Sequence, residues 1–114
     1  MSLKASSRQV DGVTVVDLSG RIVLGEGSET LREALRDLVT KGNKKVLLNL
    51  GDVNYIDSSG LGAMVSGYTT LTSQGGQLKL LSLTKKVQDL LQVTKLLTVF
   101  EVFDDEAAAL KSFR

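Results

Sequence analysis

The apolar run Val46-Leu47-Leu48 constrains the fold of this chain most, because a strand without polar alternation is typically buried on both faces. It lies in the strand-like segment Lys45–Leu50, which a second such segment, Val53–Ile56, follows. The next residues, from Ile56 to Gly62, read Ile-Asp-Ser-Ser-Gly-Leu-Gly and open a segment with helical periodicity. A buried strand that leads directly into a helix predicts an α/β arrangement.

The first third of the chain predicts a hairpin and a helix. Asp11-Gly12 lies between two short strand-like runs and is typical of a tight turn, and the β-branched run Val13–Leu18 predicts the strand that follows it. Apolar side chains from Leu31 to Val39 recur at helical spacing, with Ser28 as the predicted N-cap and Gly42 at the end. These patterns place a β-hairpin ahead of the first helix.

Helices and strands alternate in the remainder of the chain. The predicted elements are a helix with the apolar face Leu61, Met64, Val65, Tyr68 and Leu71, a break at Gly75-Gly76, a strand over Gln77–Leu81, a helix capped by Thr84, a strand over Val99–Phe103, and a short helix begun by Asp104-Asp105. The 114 residues therefore predict a single domain over residues 1–114. Its fold class is an α/β sandwich with a mixed β-sheet of about five strands and helices packed on it.

The absence of histidine and cysteine excludes most conventional enzyme classes. The chain contains no histidine and no cysteine. Ser-His-Asp and Cys-His catalytic groups, disulfides, and metal sites built on nitrogen or sulfur ligands therefore cannot form within it. The sequence also lacks a phosphate-binding P-loop, a nucleophile elbow and a calcium loop. We expect no catalytic residue, no metal and no cofactor.

Charge and hydropathy predict a soluble protein, and the absence of cysteine is compatible with the cytoplasmic location that we expect. Fourteen basic and thirteen acidic side chains give a net charge of +1, which provides no general field for nucleic acid or anionic lipid. The longest apolar runs are far shorter than the roughly 20 residues that cross a membrane, and no secretory signal is recognisable. We expect a soluble monomer or weak dimer.

The motif Asp57–Ser59 places two hydroxyls and a carboxylate at a helix start, where backbone N–H groups lack partners. One interpretation is an ordinary N-cap. The other is a site that carries a phosphate, because a helix start stabilises negative charge. Gly60, Gly62 and Gly67 disfavour helix formation, so their presence in one helix indicates that the neighbouring sheet or a partner approaches its backbone closely.

Residues 57–62, Asp-Ser-Ser-Gly-Leu-Gly, preceded by the strand 46–50 and a turn at Asp52-Val53, resemble the STAS domain (sulphate transporter and anti-sigma factor antagonist). The chain is most similar to the free-standing anti-sigma factor antagonists of bacteria. The resemblance runs over nearly the whole chain and includes three further segments, which are Leu18–Arg21, Gly75-Gly76 and Val87 to Leu91.

The resemblance implies a serine switch. In such antagonists, an anti-sigma factor with serine kinase activity phosphorylates the serine directly after the aspartate, which is Ser58 here, and a separate serine phosphatase removes the phosphate. The unphosphorylated antagonist binds the anti-sigma factor and so releases a sigma factor, which regulates transcription. The partner surface implied for this chain comprises the loop Ile22–Gly27, the exposed side of the helix, and the residues Asp57, Ser58, Ser59, Gly60, Leu61, Gly62, Ile22 and Val23.

One position departs from the family pattern. Many antagonists carry an acidic residue just past the glycine that ends the second strand, whereas this chain reads Gly20-Arg21-Ile22-Val23.

Two alternative functions stay open. The first is a STAS docking module of a lipid-transport or stress-signalling complex, in which Ser58 is never phosphorylated. The second is an enzyme or nucleotide binder that uses Asp57 with Ser58, which the missing histidine, cysteine and phosphate loop disfavour.

Overall fold

A computed structural model describes residues 3–113 of the chain, and helices and strands alternate along it as predicted. The strands are β1 (Leu3–Val10), β2 (Val13–Ile22), β3 (Lys45–Ile56), β4 (Gln77–Leu81) and β5 (Val102–Phe103). The helices are α1 (Glu26–Thr40), α2 (Ser58–Ser73), α3 (Lys85–Val93) and α4 (Glu106–Ser112), with a 3-10 turn over Leu96–Thr98.

The five strands form one mixed sheet in the order β1-β2-β3-β4-β5, which confirms the predicted fold class. β1 and β2 are antiparallel, and the turn between them has positive φ at both Asp11 (52°) and Gly12 (80°), as a two-residue hairpin requires. The remaining neighbours pair in parallel. The carboxyl ends of β2 and β3 and the first turns of α1 and α2 therefore lie at the same edge of the sheet.

The two faces of the sheet carry separate apolar cores. The larger core packs α1, α2 and α3 on one face and includes Leu31, Leu48 and Met64. The smaller core lies under α4 on the other face and includes Leu47 and Phe113. Leu47 and Leu48 point to opposite faces and both have no exposed surface, so the prediction of a strand buried on both faces is confirmed.

The turn inferred at Asp52-Val53 is wrong. Strand β3 runs over 12 residues from Lys45 to Ile56 without a break. Its irregularity instead affects the pairing with β2, whose register shifts between Asp17 and Ser19 and again between Gly20 and Arg21. Bulge-like shifts of this kind accommodate extra residues without ending the strand.

The predicted last strand is shorter than expected. Only Val102–Phe103 pair with β4. The N–H groups of Val99 and Phe100 donate to the carbonyl oxygen of Leu96, at 3.0 and 3.2 Å, so this part of the segment continues the 3-10 turn instead of joining the sheet.

The first helix begins earlier than predicted. α1 starts at Glu26 with Gly25 as its N-cap, and Ser28 lies inside the first turn. Gly25 has φ of 96°, a conformation that glycine adopts without strain. The buried Ser28 hydroxyl is used in a tertiary contact instead of a cap.

Candidate functional site

Asp57 joins the start of α2 to the loop that follows β2. Its backbone is extended, and its Oδ1 atom accepts a hydrogen bond from the N–H of Gly60 at 2.9 Å, which makes Asp57 the N-cap of α2. The second carboxylate oxygen, Oδ2, accepts from the N–H of Leu24 at 3.0 Å. The Asp57 N–H donates in turn to the carbonyl oxygen of Ile22 at 3.2 Å. One aspartate therefore fixes the geometry of both segments.

These backbone donors also set the charge of the site. The N–H groups of Leu24 and Gly60 hold the pKa of Asp57 below its usual range, because they donate to the ionised carboxylate. Asp57 is therefore negatively charged at neutral pH. A phosphate on a neighbouring residue would add a second negative charge beside the ionised Asp57 carboxylate.

The two serines of the motif have different surroundings. Ser58 is exposed, and its hydroxyl makes no hydrogen bond within residues 3–113. Ser59 is half-buried, with its Oγ 2.9 Å from Ser28 Oγ on α1, and Ser28 Oγ is 2.9 Å from the Val23 carbonyl oxygen. Since a carbonyl can only accept, Ser28 donates to Val23 and Ser59 donates to Ser28. Asp57 serves as the cap and Ser59 joins two helices, which leaves Ser58 available for chemistry.

Gly60 is required by the packing of α2 against the end of β2. A Cβ at this position would overlap the carbonyl oxygen of Ile22 and come within 2.7 Å of Ile56 Cγ1. The helix start can therefore approach the sheet this closely only because residue 60 has no side chain. This confirms that a neighbouring element approaches the helix backbone.

The other two glycines of α2 have contrasting surroundings. A Cβ at Gly67 would overlap the Leu35 side chain, so Gly67 lets α1 and α2 pack together. Gly62 is exposed, and a Cβ there would meet only Arg32 Nη2, at an ordinary contact distance of 3.7 Å. No packing within residues 3–113 therefore requires glycine at position 62.

The structure places part of the inferred partner surface in the core. Ile22 is fully buried and Leu61 is 6% exposed, and Gly60 is buried between the helix and the sheet. In the free chain the side chains of Ile22 and Leu61 are therefore not accessible to a partner. Val23 is half-buried, whereas its neighbour Leu24 is 79% exposed.

The exposed Leu24 side chain lies in the predicted loop Ile22–Gly27, whose backbone binds Asp57. Two other residues of the site were not predicted from the sequence. They are Ser28, which is hydrogen-bonded to Ser59, and Arg32, which lies beside Gly62, four residues apart on one face of α1. Their relation to α2 follows from the parallel order of β2 and β3, which brings the two crossover helices side by side.

Arg21 lies two residues before Val23, the position at which the family pattern has an acidic residue. The Arg21 guanidinium carbon lies 5.3 Å from the centre of the Tyr55 ring, across the β2–β3 pair. This is a cation–π contact at the carboxyl edge of the sheet. Tyr55 is 43% exposed, so the edge next to Asp57 presents a basic and aromatic pair.

Within residues 3–113, no group of three or more acidic, histidine or cysteine side chains is arranged to hold a metal ion. In the same range, no helix combines the length and apolarity that crossing a membrane requires.

Comparison with known proteins gives relatives along the full length of the chain. BtrV of Bordetella bronchiseptica, a candidate anti-sigma factor antagonist, is 30% identical over 98% of this chain and 96% of its own length. The anti-sigma-B factor antagonist of Bacillus subtilis is 30% identical over 90% of this chain and 92% of its own length.

Solved structures share the fold at lower identity. An anti-sigma factor antagonist from Mycobacterium paratuberculosis superposes with a TM-score of 0.88 at 22% identity, over 99% of this chain and 95% of its own. SpoIIAA from Bacillus, at 19% identity, superposes with TM-scores of 0.71 in its unphosphorylated form and 0.74 in its phosphorylated form. These two structures cover 95% of this chain and 96% and 97% of their own.

The family model for the STAS domain matches residues 4–109, which include the whole sheet from Lys4 onward and the Asp57–Gly62 motif. The match agrees with the mixed sheet, the capped helix start and the full-length relatives. The chain belongs to the STAS domain family.

Proposed function

We propose that this chain is an anti-sigma factor antagonist controlled by phosphorylation of Ser58. In its unphosphorylated form it binds an anti-sigma factor with serine kinase activity, and a sigma factor is released. The kinase then phosphorylates Ser58, the complex dissociates, and a serine phosphatase restores the binding form. The observation that carries this proposal is the Ser58 hydroxyl, which lies exposed beside the capping Asp57 and has no hydrogen-bond partner among residues 3–113.

The geometry suits a switch that changes binding and leaves the fold intact. A phosphate adds about −1.5 to −2 charges at neutral pH. At the first residue of α2 it points toward solvent and is stabilised by the helix dipole, so the fold tolerates it. A partner surface that fits a neutral hydroxyl next to ionised Asp57 does not tolerate it, because uncompensated like charges weaken an interface by several kcal/mol.

We propose a smaller partner surface than the one that the resemblance implied, because some of the implied residues are buried. We define the switch surface as Leu24, Asp57, Ser58 and Gly62, with Val23 at its margin. Leu24 offers an exposed apolar anchor, and Gly62 offers bare backbone on the exposed face of α2. An apolar contact surrounded by polar groups is typical of transient protein interfaces.

The proposal is tested by incubating the chain with the serine-kinase anti-sigma factor of the same organism and ATP. Intact mass spectrometry should show one added phosphate, and peptide mapping should place it on Ser58. Ser58→Ala should remain unmodified, whereas Ser59→Ala, the matched control, should still be phosphorylated. Modification of Ser59 with Ser58 free would contradict the assignment. Stable binding of the kinase without any phosphorylation would instead favour the docking-module alternative.

We propose further that the chain has no catalytic turnover of its own. It lacks histidine and cysteine, and the Asp57 carboxylate is occupied by two backbone donors. An ATPase or phosphatase activity that survives purification and is lost in Asp57→Ala would contradict this part of the proposal.

A further inference from the structure

A guanidinium group lies beside the exposed face of α2, one helical turn beyond Ser58. The Arg32 side chain comes from α1, and its Nη2 atom is 3.7 Å from the position that a Cβ at Gly62 would take. Gly62 follows Ser58 by four residues, so the two positions share a helix face with about 5–6 Å between their Cβ positions. Arg32 therefore borders the face that carries the proposed phosphorylation site.

The orientation of α1 brings Arg32 toward Ser58. Both helices begin at the carboxyl edge of the parallel strands, and Ser28 in the first turn of α1 is bonded to Ser59 in the first turn of α2. Because Cα–Cβ bonds tilt toward the N-terminus of a helix, side chains on α1 lean toward this shared edge. A long side chain at position 32 thus leans toward the end of α2 where Ser58 lies.

Arg32 is available for a new anionic partner. Within residues 3–113 its guanidinium makes no ion pair and no hydrogen bond, since the ion pairs there involve other basic residues, namely Arg8, Lys41, Lys79 and Lys85. It is half-buried at a groove of about 160 Å³ between α1 and α2, which Arg36 also lines. The groove therefore has two arginines and no neutralising acid in its lining.

We propose that Arg32 binds the phosphate of phosphorylated Ser58 and holds it across Gly62. This inference rests on the proposed phosphorylation of Ser58. A phosphoryl group lengthens the serine side chain by two bonds, and a guanidinium pairs with phosphate oxygens through two parallel charge-assisted hydrogen bonds. Gly62, with no side chain, leaves the path between the two groups open.

The pairing of Arg32 with the phosphate explains why position 62 is a glycine, which packing does not. Gly60 and Gly67 are required by contacts with Ile22 and Leu35, whereas Gly62 is not. In the unphosphorylated chain, the bare backbone at Gly62 is open to a partner. In the phosphorylated chain, the Arg32–phosphate pair covers it, so phosphorylation blocks the switch surface by filling it as well as by adding charge. Arg32 is thus a positioning residue for the phosphate.

The test measures the phosphate directly by ³¹P NMR, on the full chain with phosphoserine incorporated at position 58 during translation. A cation in contact with the phosphate lowers its second pKa, so wild type should titrate about one pH unit below Arg32→Gln. Arg32→Lys should recover part of this difference in pKa, because lysine restores the positive charge but not the two parallel N–H donors of a guanidinium. Asp57 and the first-turn acids of α1, Glu26 and Glu29, are present in every variant, so the difference between variants reports Arg32.

Arg36→Gln is the matched control, since Arg36 lies one turn farther along α1 in the same groove and should leave the titration unchanged. Equal second pKa values in wild type and Arg32→Gln would overturn the inference, as would an equal change in Arg36→Gln. If Arg32→Gln does not fold, the inference is tested instead by the NMR signal of the Arg32 Nε–H group in the chain with arginine at position 32. It should shift when phosphoserine replaces Ser58, and an unchanged signal would overturn the inference.

This experiment contains neither kinase nor partner. A failure of the kinase to modify Ser58 would overturn the proposed function and leave the measured contact between Arg32 and the phosphate standing. Equal second pKa values of the phosphate in wild type and Arg32→Gln would overturn the role of Arg32. They would not affect the proposed phosphorylation of Ser58, which the kinase experiment tests separately.

Discussion

At the scale of single residues, adjacent positions of one motif have opposite structural requirements. Asp57 is held by three hydrogen bonds with backbone groups, and Ser59 is held by Ser28. The Ser58 side chain between them makes no such bond within the described part of the chain. Gly60 has no room for a side chain, whereas Gly62 has. A switch residue needs this combination, because the scaffold around it must stay fixed while its own chemistry changes.

The two glycines provide a matched pair for testing this contrast. Gly60→Ala should lower the free energy of unfolding by about 1–3 kcal/mol, because the added Cβ overlaps the Ile22 carbonyl oxygen. Gly62→Ala should raise it by up to about 1 kcal/mol, because alanine favours a helix and meets only Arg32. Urea unfolding of both variants checks the prediction. Equal effects of the two substitutions would contradict the packing described here.

At the scale of secondary-structure elements, α4 is attached to the sheet by a buried lysine. Lys79 on β4 is 5% exposed, and its Nζ atom is 3.0 Å from the carbonyl oxygen of Ser112, 3.0 Å from Ser112 Oγ and 3.0 Å from Glu101 Oε1. It also lies 4.8 Å from the centre of the Phe113 ring. Lys79 therefore binds the carbonyl oxygen of Ser112, the last residue of α4, where a helix attracts positive charge.

Replacing Lys79 by methionine should loosen α4 without changing the switch surface. The substitution leaves Ser112 without its donor, which costs about 1–3 kcal/mol, and amide hydrogen exchange over residues 106–112 should accelerate. Exchange in the first turn of α2 should stay as in wild type. Lys111→Met, on the exposed side of α4, is the control and should change neither. Unchanged exchange over residues 106–112 in Lys79→Met would show that the lysine does not hold the helix.

Local patterns were sufficient for most elements and insufficient for the tertiary contacts of the site. The run Val46-Leu47-Leu48 predicted a strand buried on both faces because such a strand carries apolar side chains at successive positions. The N-cap at Ser28 was wrong because Gly25 starts α1 earlier and Ser28 serves a contact with another helix. The position of Arg32 beside Gly62 depends on how α1 packs against α2, which no short stretch of sequence specifies.

Local sequence patterns likewise do not predict which charged residues are buried. Lys79, between Leu78 and Leu80, gives no sign in the sequence that it is buried, because charged residues in strands are usually exposed. Its burial is explained by the acceptors on α4 and on Glu101, which come from more than 20 residues farther along the chain.

At the scale of the whole molecule, one arginine joins the two ends of the described chain. Arg8 on β1 is 2.7 Å from Asp17 on β2 and 2.7 Å from Glu106 at the start of α4. These hydrogen bonds from Arg8 lower the pKa of both carboxyl groups. Folded-state pKa values below the unfolded ones make a contribution to stability that is present above about pH 4 and is lost as the pH falls through the folded values.

Acid should therefore destabilise the wild-type chain more than a variant without this arginine. We expect Arg8→Gln to melt a few degrees below wild type at pH 7, since partly exposed ion pairs contribute about 1 kcal/mol or less. The two melting temperatures should converge as the pH approaches 3. Lys41→Gln removes an exposed pair with Asp37 and serves as the control, with little change at either pH. A difference between Arg8→Gln and wild type that is the same at pH 7 and pH 3 would contradict this assignment.

The central claim, that charge at position 58 controls binding while the fold stays intact, is tested most directly by isothermal titration of the serine-kinase anti-sigma factor with three proteins. These are wild type, Ser58→Asp and Ser58→Asn, the last being a neutral side chain of nearly the same shape as aspartate. Since aspartate carries about half the charge of a phosphate, Ser58→Asp should bind about tenfold more weakly or worse, with a melting temperature close to that of wild type. Ser58→Asn should bind much more tightly than Ser58→Asp. Binding of folded Ser58→Asp as tight as that of wild type would contradict the electrostatic switch.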